Sequence, residues 1–104
     1  MKNLNEFILE SIKKQINLDD IDNNELKKFA EKVTTHVNAN YHLDYGFDVD
    51  FIFDALLKLK DKNLKLSVND FYIYETDGEE CLYCSQIEQY YDSDPKKGWL
   101  NIKK

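Results

Sequence analysis

The spacing of the apolar residues changes near Leu64 from a helical period to alternation, and this change constrains the fold more than any other feature. One apolar stripe from Glu25 to about Asn40 repeats at intervals of three and four residues, which predicts a helix with Asp22 as its N-cap. Beyond Leu64 apolar residues alternate with polar ones, and the segment FYIYE is aromatic and β-branched. Helices followed by strands are typical of an α+β fold.

Two more helices are predicted before the period changes. Apolar residues at helical spacing predict one helix over residues 3–17, with Asn3 as its N-cap, and another over residues 48–62, with Asp48 as its cap. The second of these is apolar on more than one face. We therefore expect it to lie between the other helices and the sheet.

Strands are predicted on both sides of a hairpin turn and again near the C-terminus. Asp77 and Gly78 predict the hairpin turn, the returning strand is residues 81–84, and the segment WLNIKK predicts a last strand. Residues 85–91 have two interpretations. Ser85 and Glu88 match a capping box, which favours a short helix, but the same residues would also continue the strand.

Composition and length indicate a single folded domain. The chain has 104 residues, of which 42% are hydrophobic, with three glycines and one proline. The patterns together predict one compact α+β domain over residues 1–104. About three N-terminal helices are expected to pack on a small C-terminal antiparallel β-sheet of three to four strands.

The N-terminal segment does not have the pattern of an export signal. Residues 1–14 carry acids and asparagines within the apolar pattern, and they offer no small-residue cleavage site. No apolar run reaches the length of a membrane span. We expect a cytoplasmic location and no membrane contact, with Cys81 and Cys84 reduced.

The charges are separated along the chain. The net charge is −6, all fourteen basic residues are lysines, and no lysine lies in residues 33–57 or 66–95. Those two windows hold twelve acids, so the rest of the chain has an excess of lysine. A strongly negative surface repels nucleic acid and attracts basic partners, so we expect no direct nucleic-acid binding.

No pattern in the sequence indicates an enzyme or a cofactor site. Cys81, Cys84, His36 and His42 are ligand types that zinc accepts, but the cysteines lack the glycine or proline turn of a zinc knuckle and would point to opposite faces of a strand. The aspartates of a D-x-D pair at residues 48–50 lack a preceding Gly-Ser and any arginine for phosphate. No segment fits the EF-hand spacing. We expect no metal, no cofactor and no catalysis.

The combination of acids and tyrosines supports a binding function. Tyrosine rings are favoured at protein interfaces, and carboxylates engage the lysines and arginines that bind phosphate. The candidate partner-binding residues are Asp44, Asp48, Asp50, Tyr72, Tyr74, Glu75, Asp77, Glu79 and Glu80.

The leading hypothesis is a small acidic inhibitor that docks on a basic protein, in particular a nucleic-acid-binding enzyme. In size and charge the chain has the general character of DNA-mimicking phage or mobile-element inhibitors and of immunity proteins. One alternative is an assembly or regulatory subunit, including a homo-oligomer, without charge mimicry. The other is a small metal-binding module.

Overall fold

Two helices and two β-sheets make up the described part of the chain. The structure is a computed structural model and describes residues 14–39, 46–76 and 78–102. The helices are α1 (Asn23–Asn38) and α2 (Val49–Leu57). The strands are β1 (Ile16–Asn17), β2 (Lys65–Leu66), β3 (Phe71–Thr76), β4 (Glu79–Cys84), β5 (Gln89–Tyr91) and β6 (Trp99–Asn101). Short 3₁₀ turns cover Leu18–Asp20, Val68–Asp70 and Pro95–Lys97.

Helix α1 begins where the sequence predicts. The backbone N–H of Glu25 donates to Oδ1 of Asp22 at 2.9 Å, so Asp22 is the expected N-cap. The apolar stripe is buried on one side of the helix, because burial of that stripe is what stabilises a helix of this length. Its buried members are Leu26, Phe29, Ala30, Val33 and Val37.

Helix α2 was expected to lie between the other helices and the sheet, but it does not separate α1 from the sheet. The ring centroid of Phe29, on α1, lies 6.2 Å from that of Phe71, on β3, so both helices pack on the larger sheet. Ile52, Ala55 and Leu56 are buried on this helix. The indole N–H of Trp99, on β6, donates to the carbonyl of Ala55 at 2.9 Å, which ties the helix to the sheet. Asp48 occupies the N-cap position but makes no side-chain capping hydrogen bond.

The larger sheet is antiparallel, with its strands in the order β3-β4-β5-β6. Residues that pair directly across an antiparallel sheet share a face. Phe71 pairs with Cys84, and Leu82 pairs with Tyr91, which pairs in turn with Trp99. These residues pack with both helices, so the core lies between the helical layer and this inner face of the sheet.

The predicted number of helices and the single small sheet are wrong. The described residues contain two α-helices and two sheets, of two and four strands, in a roughly α+β arrangement. Ile16 and Asn17, which were expected to end a first helix, pair instead with Leu66 and Lys65. The rest of that predicted helix lies outside the described residues.

Side chains near this small sheet explain why residues 16–17 are extended. The carboxylate of Asp19 accepts hydrogen bonds from the backbone N–H groups of Asp61 (2.5 Å) and Asn63 (2.9 Å), and Asn17 donates to the Asn63 side chain at 2.7 Å. Asp61 and Asn63 have positive φ angles of 70° and 53°. These contacts join segments that are distant in sequence, so the spacing of apolar residues within one segment could not predict them.

The short helix favoured for residues 85–91 is also wrong. Residues 85–88 form a turn and residues 89–91 form β5, so the strand interpretation is the better of the two. Glu88 has a φ of 54°, a left-handed conformation that cannot continue a right-handed helix. The hairpin prediction is confirmed, because Thr76 pairs with Glu79 across a two-residue loop in which Gly78 has a φ of 76°.

Neither described helix has the length and apolar character needed to cross a bilayer.

Candidate interaction surface

The outward side of the larger sheet carries four tyrosines. Tyr72 pairs with Tyr83, and Tyr83 pairs with Tyr90, so these three side chains form a row across β3, β4 and β5. Tyr74, two residues after Tyr72, lies on the same face. We call these four residues the tyrosine face. Both helices pack on the opposite, inner face of the sheet.

The four rings are in contact with one another. Ring centroids are 6.3 Å apart for Tyr72 and Tyr83, 6.1 Å for Tyr83 and Tyr74, and 5.0 Å for Tyr74 and Tyr90, each pair tilted by 35°. Tyr72 is 51% exposed, whereas the other three are partly buried. The rings therefore form one continuous aromatic surface with its most accessible end at the edge strand β3.

A buried thiol and two acids lie beside this surface. Cys81 pairs with Tyr74 and is buried on the outward side of the sheet. Burial raises the pKa of the Cys81 thiol, and the nearby charges of Asp92 and Glu79 raise it further, against a backbone hydrogen bond from Ser93 that lowers it. Glu79 also accepts a hydrogen bond from the Ser93 hydroxyl at 2.5 Å.

Acids lie at both ends of the strands that carry the tyrosine face. We call Asp70 and Glu88, at one end, together with Glu79 and Asp92, at the other, the acidic border. Residues 66–95, which include β3, β4 and β5, contain no lysine. Asp70 is held in place because its carboxylate accepts hydrogen bonds from Ser67 and Ser85.

The structure brings three of the predicted partner-binding residues together. Tyr72, Tyr74 and Glu79 lie on the outward side of the β3–β4 hairpin. Glu75 and Glu80 pair directly with each other on the other side of the same hairpin. Like charges in such a pair repel, so this pair lowers the stability of the hairpin.

Two of the other predicted residues, Asp48 and Asp50, do not join the tyrosine face. Asp48 and Asp50 are exposed at the start of α2, which packs on the inner face of the sheet. Asp44 and Asp77 lie outside the described residues, as does His42. In the described residues, the first lysine-free window (33–57) therefore lies mainly in the helices, and the second (66–95) lies mainly in the larger sheet.

Tyr83 and Tyr90 belong to the surface but were not among the predicted site residues. The register of a two-residue hairpin loop places Tyr83 opposite Tyr72, so this residue was within reach of sequence reasoning. Tyr90 was not, because its position depends on β5, which the sequence favoured as a helix.

The residues considered for metal binding are separated. Cys81 faces outward, Cys84 faces the core, and His36 lies in the last turn of α1. Burial raises the pKa of Cys84 to about 11, so its thiol stays protonated at neutral pH. In the described ranges, no group of three or more His, Cys, Asp or Glu side chains is arranged to hold a metal ion.

A second polar cluster holds α2 on the sheet. The buried Tyr91 hydroxyl donates to Asp54 and accepts a hydrogen bond from Lys58 at 2.8 Å. Lys58 also donates to the Pro95 carbonyl at 2.7 Å. Burial, followed by the Asp54 hydrogen bond, raises the pKa of Tyr91, so this phenol keeps its proton. The cluster joins helix to sheet.

Three described lysines line one cleft: Lys28 and Lys32 on α1, and Lys14 just before β1. This cleft, of about 180 Å³, is lined by Ile16, Ile21 and Phe29 together with Lys14, Glu25, Lys28 and Lys32. A different cleft, of about 280 Å³, lies beside β3 and is lined by Val37, Phe71, Tyr72 and Ile73. The tyrosine face is therefore continuous with a depression at the sheet edge.

Comparison of the chain with family models, with curated proteins and with solved structures gave no match. The chemistry that carries a functional proposal is that of the tyrosine face and its acidic border.

Proposed function

We propose that this chain is a non-catalytic binding protein that docks its tyrosine face on a basic protein. The observation that carries the proposal is the continuous surface of four ring-contacting tyrosines on lysine-free strands with acids at both ends. Tyrosines bury large ring areas at small entropic cost, and they are enriched in interface cores. Acids around the rings favour a partner of opposite charge and speed its approach.

The partner class that fits is a nucleic-acid-binding protein. Such proteins present lysines and arginines arranged to contact phosphates, and the exposed carboxylates of the acidic border, Glu79 and Glu88, would pair with the same groups. Occupying that surface would exclude nucleic acid. The proposed outcome of binding is therefore inhibition of the partner.

The test begins with affinity capture from an extract of the host cell. Immobilised protein is exposed to the extract at about 0.05 M and about 0.5 M salt, and retained proteins are identified by mass spectrometry. The main captured protein is then purified, and its affinity for the free chain is measured by calorimetry. We expect a basic protein whose affinity falls at the higher salt and which duplex DNA displaces.

Matched variants decide whether the tyrosine face is responsible. Tyr72→Ala combined with Glu79→Gln alters the face and removes one charge, whereas Glu31→Gln removes one charge from the exposed side of α1. We expect the first variant to weaken binding by at least tenfold and the second to leave it nearly unchanged. Equal affinities for both variants, or a captured partner insensitive to salt and DNA, would refute the proposal.

A further inference from the structure

We infer that the tyrosine face accepts arginine side chains of the partner, with guanidinium groups stacked on the tyrosine rings. This inference rests on the proposed function and specifies the partner chemistry. A cation is attracted to the face of an aromatic ring, and arginine stacks on rings more effectively than lysine because its guanidinium is planar and weakly hydrated.

The ring spacing fits an extended partner segment. Neighbouring centroids along the tyrosine face are 5.0–6.3 Å apart. In an extended chain, side chains two residues apart point to the same side and are separated by about 6.5–7 Å. The separation is close to the 6.1–6.3 Å between neighbouring rings of Tyr72, Tyr83 and Tyr74, so an Arg-x-Arg segment can place successive guanidinium groups over two of these rings.

Charge complementarity selects a cationic occupant over an apolar or acidic one. The strands that carry the rings have no lysine to repel it. Glu79 is exposed and lies on the same side of the sheet as the rings, opposite Thr76, which is two residues beyond Tyr74. Asp92, near Cys81, adds negative charge from a buried position. A guanidinium over the rings can thus also donate hydrogen bonds towards a carboxylate.

Two synthetic peptides separate stacking from simple charge attraction. One repeats Arg-Ser and the other repeats Lys-Ser, with equal length and charge, and dissociation constants are measured by calorimetry at low salt. We expect the arginine peptide to bind more tightly, by about two- to fivefold for each ring engaged. Backbone amide shifts in NMR spectra should change at Tyr72, Tyr74, Tyr83 and Tyr90, and not at Asp48 or Asp50.

Substitutions that keep or remove the ring complete the test. Tyr72→Phe and Tyr83→Phe keep the aromatic face, whereas Tyr72→Leu and Tyr83→Leu keep an apolar side chain without it. We expect the phenylalanine variants to retain the preference for arginine and the leucine variants to lose it. Thermal unfolding of each variant verifies its fold. Because Tyr72 is exposed, Tyr72→Phe and Tyr72→Leu are the two variants least expected to disturb the fold.

The outcomes distinguish this inference from the proposed function. Equal binding of both peptides, lost in Glu79→Gln, would overturn arginine stacking and leave docking on a basic protein standing. Equal affinity of the leucine and phenylalanine variants for the arginine peptide would likewise overturn it. Failure of both peptides to bind at low salt would count against both proposals.

Discussion

Tyr91 shows how one side chain serves both the core and a polar contact. Its ring packs against Phe51 and Trp99, with centroids 5.1 Å and 5.3 Å away, while its hydroxyl reaches Asp54 and Lys58. The Lys58 ammonium also lies 5.2 Å from the ring centroid. The Tyr91 hydroxyl, ahead of Lys58, holds the pKa of Asp54 below its ordinary value of 3.8.

Replacing Tyr91 by Phe is expected to lower the free energy of unfolding by about 0.5–1.5 kcal/mol at neutral pH. The lost hydrogen bond runs to a carboxylate that is 42% exposed, so solvent screening reduces its contribution. A carboxylate whose folded pKa is lowered stabilises the fold above its unfolded pKa, and this stabilisation is lost as the pH falls through the folded value. The deficit of the variant should therefore shrink as the pH falls from the ordinary carboxyl range, about 4, through the lowered folded pKa of Asp54. Urea unfolding at neutral and acidic pH measures both effects.

Tyr72→Phe is the matched control, since it removes a hydroxyl from a half-exposed ring. Its free energy of unfolding should equal that of the unmodified protein at every pH. A Tyr91→Phe deficit that stays constant down to acidic pH would show that the Asp54 contact does not contribute.

The two helices are joined by the side chain of Asn38, at the end of α1. Its amide donates to the Phe47 carbonyl at 3.0 Å and accepts from the Phe47 N–H at 2.9 Å, just before α2 begins. Gly46 packs against the same amide, and a side chain at this position would overlap it. Phe47 in turn stacks on Phe51, with centroids 5.3 Å apart. One amide thus sets where α2 starts relative to α1.

Asn38→Ala is expected to lower the free energy of unfolding by about 1–3 kcal/mol, because the two backbone groups of Phe47 lose these partners in a partly buried place. Chemical denaturation followed by circular dichroism measures the change. Asn24→Ala, in the exposed first turn of α1, is the control and should change stability by less than about 0.5 kcal/mol. Equal effects of the two substitutions would contradict the proposed joint.

At the scale of the whole molecule, lysine is absent from the three strands that carry the tyrosine face. Lys14, Lys28 and Lys32 line one cleft, whereas the strands of the larger sheet from β3 to β5 contain acids and no lysine. Two copies meeting through their tyrosine faces would bring their acidic borders together. The resulting repulsion disfavours such a dimer most strongly when salt is low.

We therefore expect sedimentation equilibrium at low salt to give the mass of a monomer. Any association through the tyrosine face should strengthen as salt is added, because screening weakens the repulsion. A dimer that forms at low salt and is dispersed by Tyr72→Leu would contradict docking on a basic protein. Such a dimer would instead support the homo-oligomeric subunit.

The parts of the candidate surface that depend on neighbouring residues could be predicted from the sequence, and the parts that depend on distant contacts could not. Side chains alternate along a strand, so the position of FYIYE in one strand is enough to put Tyr72 and Tyr74 on the side opposite Phe71 and Ile73, as the register has them. The position of Tyr90 depends on β5, where the local letters Ser85 and Glu88 favoured a helix. That preference is overridden by pairing of β5 with both neighbouring strands.

The sequence by itself determined the long amphipathic helix, its Asp22 cap, the hairpin around Gly78 and the separation of lysines from acids. These features depend on residues within a few positions of one another, or on composition alone. Only the tertiary structure decided that Ile16 joins a strand, that α2 lies behind the sheet, and that Tyr72, Tyr83 and Tyr90 form a row. These features depend on contacts between distant segments, such as Asp19 with Asn63 and Ala55 with Trp99, which no local pattern encodes.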